Sequence, residues 1–312
     1  MINIVPYEPS LRGLWNDLIT VARNGHFLFD RDYMEYHASR FSDVSCIILH
    51  EDAPIAVFPA NVTGDTVHSH QGLTFGGLVL ADTTKSARVL QVFDALISHY
   101  RGIGSKKIIY KALPPIYHRR PAQEDLYALF RFGARLVRRD VTTSIDCRCP
   151  GSYSKRRLRG LKKASSAGIQ VRKSQRWRDY WHLLTGSLES RHGVTPVHTI
   201  EEIELLASRF PEAIQLYVST LDDHVVAGVV MYNTATVAHA QYIAVSDDGR
   251  RVGALDCLLD HVILRYQQTH RFFDFGISNE DGGRILNEGL VSQKEEFGGS
   301  TVVHDVYELS IE

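Results

Sequence analysis

The 312-residue chain repeats its own layout, and this duplication constrains its fold more than any other feature. In the first half, strand-like runs over residues 44–50 and 55–61 are joined by the turn Glu51-Asp52-Ala53-Pro54. In the second half, Asp222-Asp223-His224-Val225-Val226-Ala227 echoes that turn between two further runs. A third strand over residues 66–73 has its counterpart over residues 236–245. The amphipathic helix of residues 89–100 is matched by one over residues 252–266, with Asp260 and Tyr266 spaced as Asp94 and Tyr100 are. Each helix feeds a short apolar strand, Ile108-Ile109-Tyr110 or Phe272-Phe273-Asp274-Phe275. Two copies of one α/β unit with mixed sheets account for the length. The break at Cys149-Pro150-Gly151-Ser152 sets the expected domains at 1–150 and 151–312.

Composition narrows the function class. With 35 basic and 36 acidic residues the net charge is −1, which argues against wholesale attraction to DNA or to a membrane surface. No apolar run approaches the length of a membrane span, and the N-terminus lacks a signal-peptide layout. The four cysteines are scattered, as reduced thiols would be, and Cys147 and Cys149 are too few for a zinc site. The expectation is a cytoplasmic protein without a metal or a transmembrane segment. Further helices are expected over residues 9–24, 31–40, 85–101 and 123–132, and a strand over residues 141–147.

Four stretches carry candidate chemistry. The segment of residues 272–301 opens as a buried strand, breaks at Gly276, and crosses a polar stretch holding Asp274, Ser278, Asn279, Glu280, Asp281, Asn287 and Lys294. The end of a strand is where α/β proteins place reactive groups. In His68–Gly77, alternation along a strand would turn His68 and His70 to one face, and Gly72, Gly76 and Gly77 permit close backbone approach. That stretch fits a pocket-lining loop, a bulged strand or, with a third ligand, a metal pair. Residues 153–167 read as a basic helix carrying Lys155, Arg156, Arg157, Arg159, Lys162 and Lys163, with Leu158 and Leu161 as a narrow apolar stripe. It suits a solvated face or a domain-bridging helix, a phosphate site or, less specifically, nucleic acid. Finally, the strand of residues 240–245 runs through Ser246-Asp247-Asp248-Gly249-Arg250-Arg251-Val252-Gly253-Ala254 into a helix. Free N–H groups at a glycine-opened, arginine-flanked helix start suit a phosphate, although the aspartates also suit simple capping.

Strand, DDGRRVGA, helix and FFDFG together resemble the acetyltransferases of the GNAT superfamily. The duplicated layout, KRRLRGLKKA and the KEEFGG ending look like the Fem-type transferases and their acyltransferase relatives. SHQGLTFGG, PVHTIEEIELL and FDFGISNEDGGRILNEGLVSQKEEFGG are similar to a bacterial branch tied to surface-polysaccharide assembly. The resemblance implies two tandem GNAT-like domains, the second binding the acyl donor and the first facing the acceptor. Against the superfamily pattern Gln/Arg-x-x-Gly-x-Gly/Ala, Arg250 and Gly253 fit, whereas Leu255 replaces the last small residue.

The implied reaction is N-acyl transfer, acetyl-CoA being the simplest donor, to an amino sugar or amino acid that is free or carrier-linked. Gly249, Arg250, Arg251, Gly253 and Ala254 would hold the donor. Lys294 resembles the lysine that Fem-type enzymes place near the reacting carbonyl. Asp274 or Glu280, with His239 and Tyr242 as alternatives, would take the amine proton. His70, Gly76, Arg156, Arg159 and Asn287 would contact the acceptor. Two alternatives stay open: a Fem-like aminoacyl transferase using charged tRNA, and a binding module without catalysis on a degenerate transferase fold.

Overall fold

The structure is a computed structural model describing residues 1–312, apart from the side chains of residues 191 and 192. The chain forms two compact units: Met1–Asp140 with Asn279–Ile285 and Val303–Glu312, and Val141–Ser278 with Leu286–Val302. The division thus falls at residues 140 and 141, beside the boundary expected at 150, and the end of the chain returns to the first unit.

The chain begins with β1 (Ile2–Pro6), α1 (Arg12–Val21), α2 (Arg31–Met34), β2 (Ser42–Asp43), β3 (Cys46–His50) and β4 (Ala53–Phe58). It continues through β5 (Asn61–Thr63), β6 (Thr66–His68), β7 (Val79–Leu80), α3 (Ser86–Gly102), β8 (Lys107–Lys111), α4 (Glu124–Arg131) and β9 (Arg135–Asp146). Next come α5 (Lys155–Ser166), β10 (Gln170–Ser174), α6 (Trp177–His192), α7 (Ile200–Arg209), β11 (Ile214–Leu221) and β12 (His224–Asn233). Then follow β13 (Val237–Val245), α8 (Asp247–Val252), α9 (Ala254–Tyr266) and β14 (Phe272–Ile277). The last elements are β15 (Asn279–Glu280), β16 (Ile285–Leu286), α10 (Glu288–Glu295) and β17 (Ser300–Ser310).

The first unit holds the antiparallel sheet β1-β3-β4-β7 and a mixed run in which β8 pairs parallel with β6 and antiparallel with residues 306–310 of β17. Its core gathers Phe58, Val92, Phe93, Tyr100 and Tyr110. The second unit orders its strands β10-β11-β12-β13-β14-β9, all antiparallel except the β13–β14 pair. The apolar stripe of α9, with Leu258, Leu259, Val262 and Tyr266, buries against this sheet together with Phe273, Phe275 and Phe297.

The duplication is visible in backbone detail. The β3–β4 hairpin turns through Glu51 (φ 50°) and Asp52 (φ 63°), and the β11–β12 hairpin through Asp222 (φ 48°) and Asp223 (φ 62°). Two consecutive left-handed residues are what a two-residue hairpin loop needs to follow the twist of its strands, and aspartate tolerates that region better than most residues.

Several expected elements differ. The helix over residues 9–24 enters through a 3-10 turn, Pro9–Leu11, and ends at Val21. The one over residues 31–40 stops at Met34 and continues as a 3-10 segment interrupted at His37. The strand over residues 141–147 begins earlier, at Arg135. The third strand of the first half ends at His68, so His68 and His70 do not share a strand face; His70 sits at φ 109°. Here the chain folds back on itself so closely that a side chain at Gly76 would meet the Ser69 carbonyl at 1.4 Å. Lys111 Nζ ties the loop down by donating to the carbonyls of His70 (3.0 Å), Gln71 (3.2 Å) and Leu73 (2.7 Å). In the basic helix the buried positions are Arg157 and Ala164, while Leu158, expected in an apolar stripe, is exposed.

Candidate active site

The parallel strands β13 and β14 pair only over Val237–Phe272, Ala238–Phe273 and His239–Asp274. Beyond that point they part, because β14 bends at Gly276, whose φ of 78° favours glycine, and its pairing with β9 is interrupted between Asp274 and Ile277. A cavity of about 190 Å³ lies in the opening, lined by Ile243, Ala244 and Val245 of β13, Phe275 of β14, and Leu255 and Leu259 of α9. Across the sheet, a β-bulge opposite Val230 and Met231 leaves Gln241 without a partner on β12. The bulge also brings Tyr242 to the sheet face of His239, since their partners, Val230 and Tyr232, are two residues apart.

His239 and Asp274 are the last paired residues before the strands part. Asp274 is fully buried and accepts from the Thr142 hydroxyl at Oδ1, while His239 Nδ1 lies 2.6 Å from Oδ2. Lys294, on α10, is 6% exposed and lines the cavity. Its Nζ donates to the carbonyls of Gly276 (2.7 Å) and Ile277 (2.8 Å) and to Ser278 Oγ (2.7 Å). An ammonium has three protons, and all three are engaged in holding the bend. Burial pulls the Lys294 pKa down to about 8, opposed by the nearby Asp274 charge, so the group is still a cation at neutral pH.

That shift has a measurable sign. A lysine near 10.4 when unfolded and about 8 when folded binds more protons in the unfolded state across that window. Stability from this group therefore rises with pH between those values, by roughly 3 kcal/mol in full. Denaturant unfolding of wild type and Lys294→Met at pH 7.5 and pH 9.5 is expected to show the difference between them growing in favour of wild type. A pH-independent difference would mean that the fold does not depress this lysine.

A second cavity of about 330 Å³ adjoins the first, sharing Val245, Arg250, Leu255 and Gln293 with it. It is lined further by Arg156 and Lys163 of α5 and by Gly249 and Gly253. The two form one passage in the second unit, basic at the mouth and apolar within. The helix expected over residues 252–266 is α9, starting at Ala254 without a side-chain cap, and the segment before it forms a short helix of its own, α8, which ends at Gly253 (φ 77°). A side chain at Gly253 would meet the Gly160 carbonyl at 2.4 Å, so α5 and α9 touch backbone to backbone. The amide of Gly249, expected to face a phosphate, instead donates to the Ser246 cap at 3.0 Å. Leu255, in the first turn of α9, lines both cavities.

The other sequence candidates are distributed as follows. Arg250 lines both cavities, whereas Arg251 pairs with Asp248 and lines neither. Arg156 reaches the mouth; Arg159 is exposed and lines neither cavity. Ala254 is buried, its carbonyl accepting from Ser219 Oγ. Tyr242 OH lies 2.6 Å from His198 Nδ1, and burial pushes its pKa up to about 12, so the hydroxyl keeps its proton. Asn287 Oδ1 caps α10 through the Leu290 amide. Glu280 is exposed on β15, in the first unit. His70 and Gly76 also belong to the first unit, His70 being 4% exposed with its ring against His37 and Phe41. Thr142, Gln293 and the α6 residues Ser187 and Leu188 were not singled out in sequence, since nothing in their local pattern marks a threonine in a strand or a leucine on a helix as part of a site. Among the described residues, no group of three His, Cys, Asp or Glu side chains could hold a metal.

In the first unit the segment matching the donor loop, residues 81–85, is occupied by the protein itself. Arg23 Nη2 donates to the Thr84 carbonyl (2.7 Å), Thr84 Oγ1 donates to the Ile55 carbonyl (2.7 Å), and Arg120 pairs with Asp82.

Residues 152–281 match the model of the acetyltransferase (GNAT) domain. The crystal structure of FemX superposes with a TM-score of 0.68 at 10% identity, covering 97% of this chain and 96% of that one. L-PGS from Bacillus licheniformis gives 0.61 at 12% identity, covering 96% and 91%. A tandem GNAT protein from the clavulanic acid biosynthesis pathway gives 0.57 at 10% identity, covering 100% and 99%. No curated protein matches the chain. Its mixed α/β architecture is the tandem GNAT, Fem-like fold, with an acetyltransferase (GNAT) domain over residues 152–281.

Proposed function

We propose that the protein is an N-acyltransferase that moves an acyl group, most simply acetyl from acetyl-CoA, to the amine of an amino sugar or amino acid, free or carrier-linked. The observation that carries this reading is the continuous passage in the second unit. Its mouth presents Arg156, Lys163 and Arg250 to phosphate groups, and its apolar interior, between the parted strands, suits the donor's uncharged arm. The matching segment of the first unit is instead tied down by Arg23 and Arg120.

Within this reading the fold contributes chiefly by positioning. A thioester held at the point where β13 and β14 separate meets an amine at high effective concentration. The bulge at Gln241 frees backbone groups of β13 from the ladder there, a source of donors for the oxygen that gains charge. Lys294 acts by holding the bend and by its charge, since its protons are already committed.

A second reading, aminoacyl transfer from charged tRNA, is favoured by one observation. Lys155, Arg159 and Lys162 lie on the exposed side of α5, away from Arg157 and Ala164, and extend the basic surface beyond the mouth. Thiol release from acetyl-CoA, assayed with a panel of amino sugars and amino acids, separates the readings. Amine-dependent release is the expected result; none with any amine, alongside transfer from charged tRNA, would replace the first reading by the second.

A further inference from the structure

We infer that His239, Asp274 and Thr142 form one proton-accepting device, in which His239 Nε2 takes the proton of the acceptor amine and Asp274 and Thr142 only position it. The inference rests on the acyl-transfer reading and assigns the base within it.

The carboxylate of Asp274 is the starting point. It is fully inaccessible, so no acceptor touches it, and it cannot itself be the group that meets the amine. One oxygen accepts from Thr142 and the other lies 2.6 Å from His239 Nδ1. An ionised carboxylate has no proton to give, so Nδ1 must be the donor in that bond. In the neutral imidazole this places the lone pair on Nε2. The cation of Lys294, whose charge acts on Asp274, favours the ionised carboxylate on which this tautomer depends.

His239 lines neither cavity itself, and its place beside them is set by Gly276. With Nδ1 turned to Asp274, the opposite edge lies over Gly276: a Cβ built there would be 3.3 Å from His239 Cε1 and 3.9 Å from Nε2. Gly276 is the bend at which β14 leaves β13, and the adjacent Phe275 lines the cavity. With no side chain at position 276, the Nε2 edge lies next to the bend at which the strands part. His239 shares its sheet face with Tyr242, and α6, which contributes Ser187 and Leu188 to the cavity, packs its Tyr180 hydroxyl onto the Tyr242 carbonyl at 2.9 Å.

The step balances without a further reagent. The amine enters neutral; its lone pair forms the C–N bond, and the C–S bond breaks with its electrons on sulfur. The proton shed by nitrogen goes to His239 Nε2 and is then returned to the thiolate, leaving an amide, a thiol and an unchanged protein.

The test has two arms. Nitrogen NMR of the imidazole in wild type, Asp274→Asn and Thr142→Val reads the tautomer directly and needs no acceptor. Wild type is expected to carry its proton on Nδ1 with Nε2 bare, and Asp274→Asn to lose that preference. A protonated Nε2 in neutral wild-type His239 would overturn the assignment. In the second arm, amine-dependent thiol release from acetyl-CoA is compared with the thermal shift that acetyl-CoA produces. His239→Gln is expected to lose about 10²- to 10⁴-fold in kcat while keeping the shift, which separates lost chemistry from lost folding or donor binding. Undiminished turnover in His239→Gln overturns the assignment too. If wild type turns over no amine, the acyl-transfer reading fails, while the tautomer arm still decides whether Nε2 is the proton acceptor.

Discussion

Replacing Arg157 with alanine is expected to destabilise the second unit by about 3–5 kcal/mol. Arg157 is the buried member of the basic helix, its side chain 7% exposed, where the sequence pattern suggested a solvated charge. It pairs with Asp256 of α9, donates to Glu296 from Nε at 2.7 Å, and lies 5.2 Å from the centroid of the Phe297 ring. Truncation takes from two partly buried carboxylates their buried counter-charge, leaving the largely exposed Arg156, 3.8 Å from Glu296, and that loss is what makes breaking such a network costly. Burial already raises the Asp256 pKa, with Arg157 pulling it back down. Without the arginine it rises further, so the variant is relieved when Asp256 is protonated and loses less stability at pH 4.5 than at pH 7. At about 2–4 °C per kcal/mol, the thermal midpoint at pH 7 should fall by roughly 6–20 °C. A drop below 2 °C would show that α5 is not anchored through this network.

Gly253→Ala has the second large effect, and it joins stability to function. A left-handed φ of 77° costs an alanine roughly 1–2 kcal/mol, and its Cβ would stand 2.4 Å from the Gly160 carbonyl. Since the obstacle is backbone, relief requires α5 and α9 to separate, at a further cost of about 1–3 kcal/mol. Both helices line the basic mouth, so donor binding should fall with stability. Gly168→Ala provides the control: φ is 72°, yet nothing lies within 4 Å of the added methyl, so only the conformational penalty applies. Equal losses in the two variants would contradict the close approach of the helices.

These two sites mark how far the sequence can be read. The duplication was legible because hairpin turns, amphipathic helices and the strands they feed are local patterns, and the acidic turn pairs at 51–52 and 222–223 adopt matching φ values. The strand-then-helix region that bounds the passage was legible for the same reason. Its internal geometry was not. That Gly253 lies against the Gly160 carbonyl follows from packing against α5, an element far away in sequence, whereas the bond of the Gly249 amide to Ser246 is a local helix cap. Arg157 inverted the expectation for a basic run because the decisive facts, Asp256 and Glu296, lie 99 and 139 residues on. His239 and Asp274 stood in the sequence as separate candidates, and only the register of β13 with β14 makes them one pair. Thr142 had no local mark at all. The loop of residues 68–77 misled for a related reason: period-two alternation predicts a strand, but the glycines let the chain turn back and Lys111 pins it.

The central claim is that the second unit binds an acyl-CoA through its basic mouth. The most direct measurement is the thermal midpoint of the purified protein with acetyl-CoA, with CoA and with neither, repeated for the Arg250→Ala, Lys163→Ala double variant. At a hundred times its dissociation constant a ligand adds about 2.7 kcal/mol, which corresponds to a rise of roughly 5–11 °C for a domain of this size. Both ligands are expected to raise the midpoint of wild type, and the double variant is expected to lose most of that rise. A midpoint that neither ligand moves, at millimolar concentration, would contradict the claim.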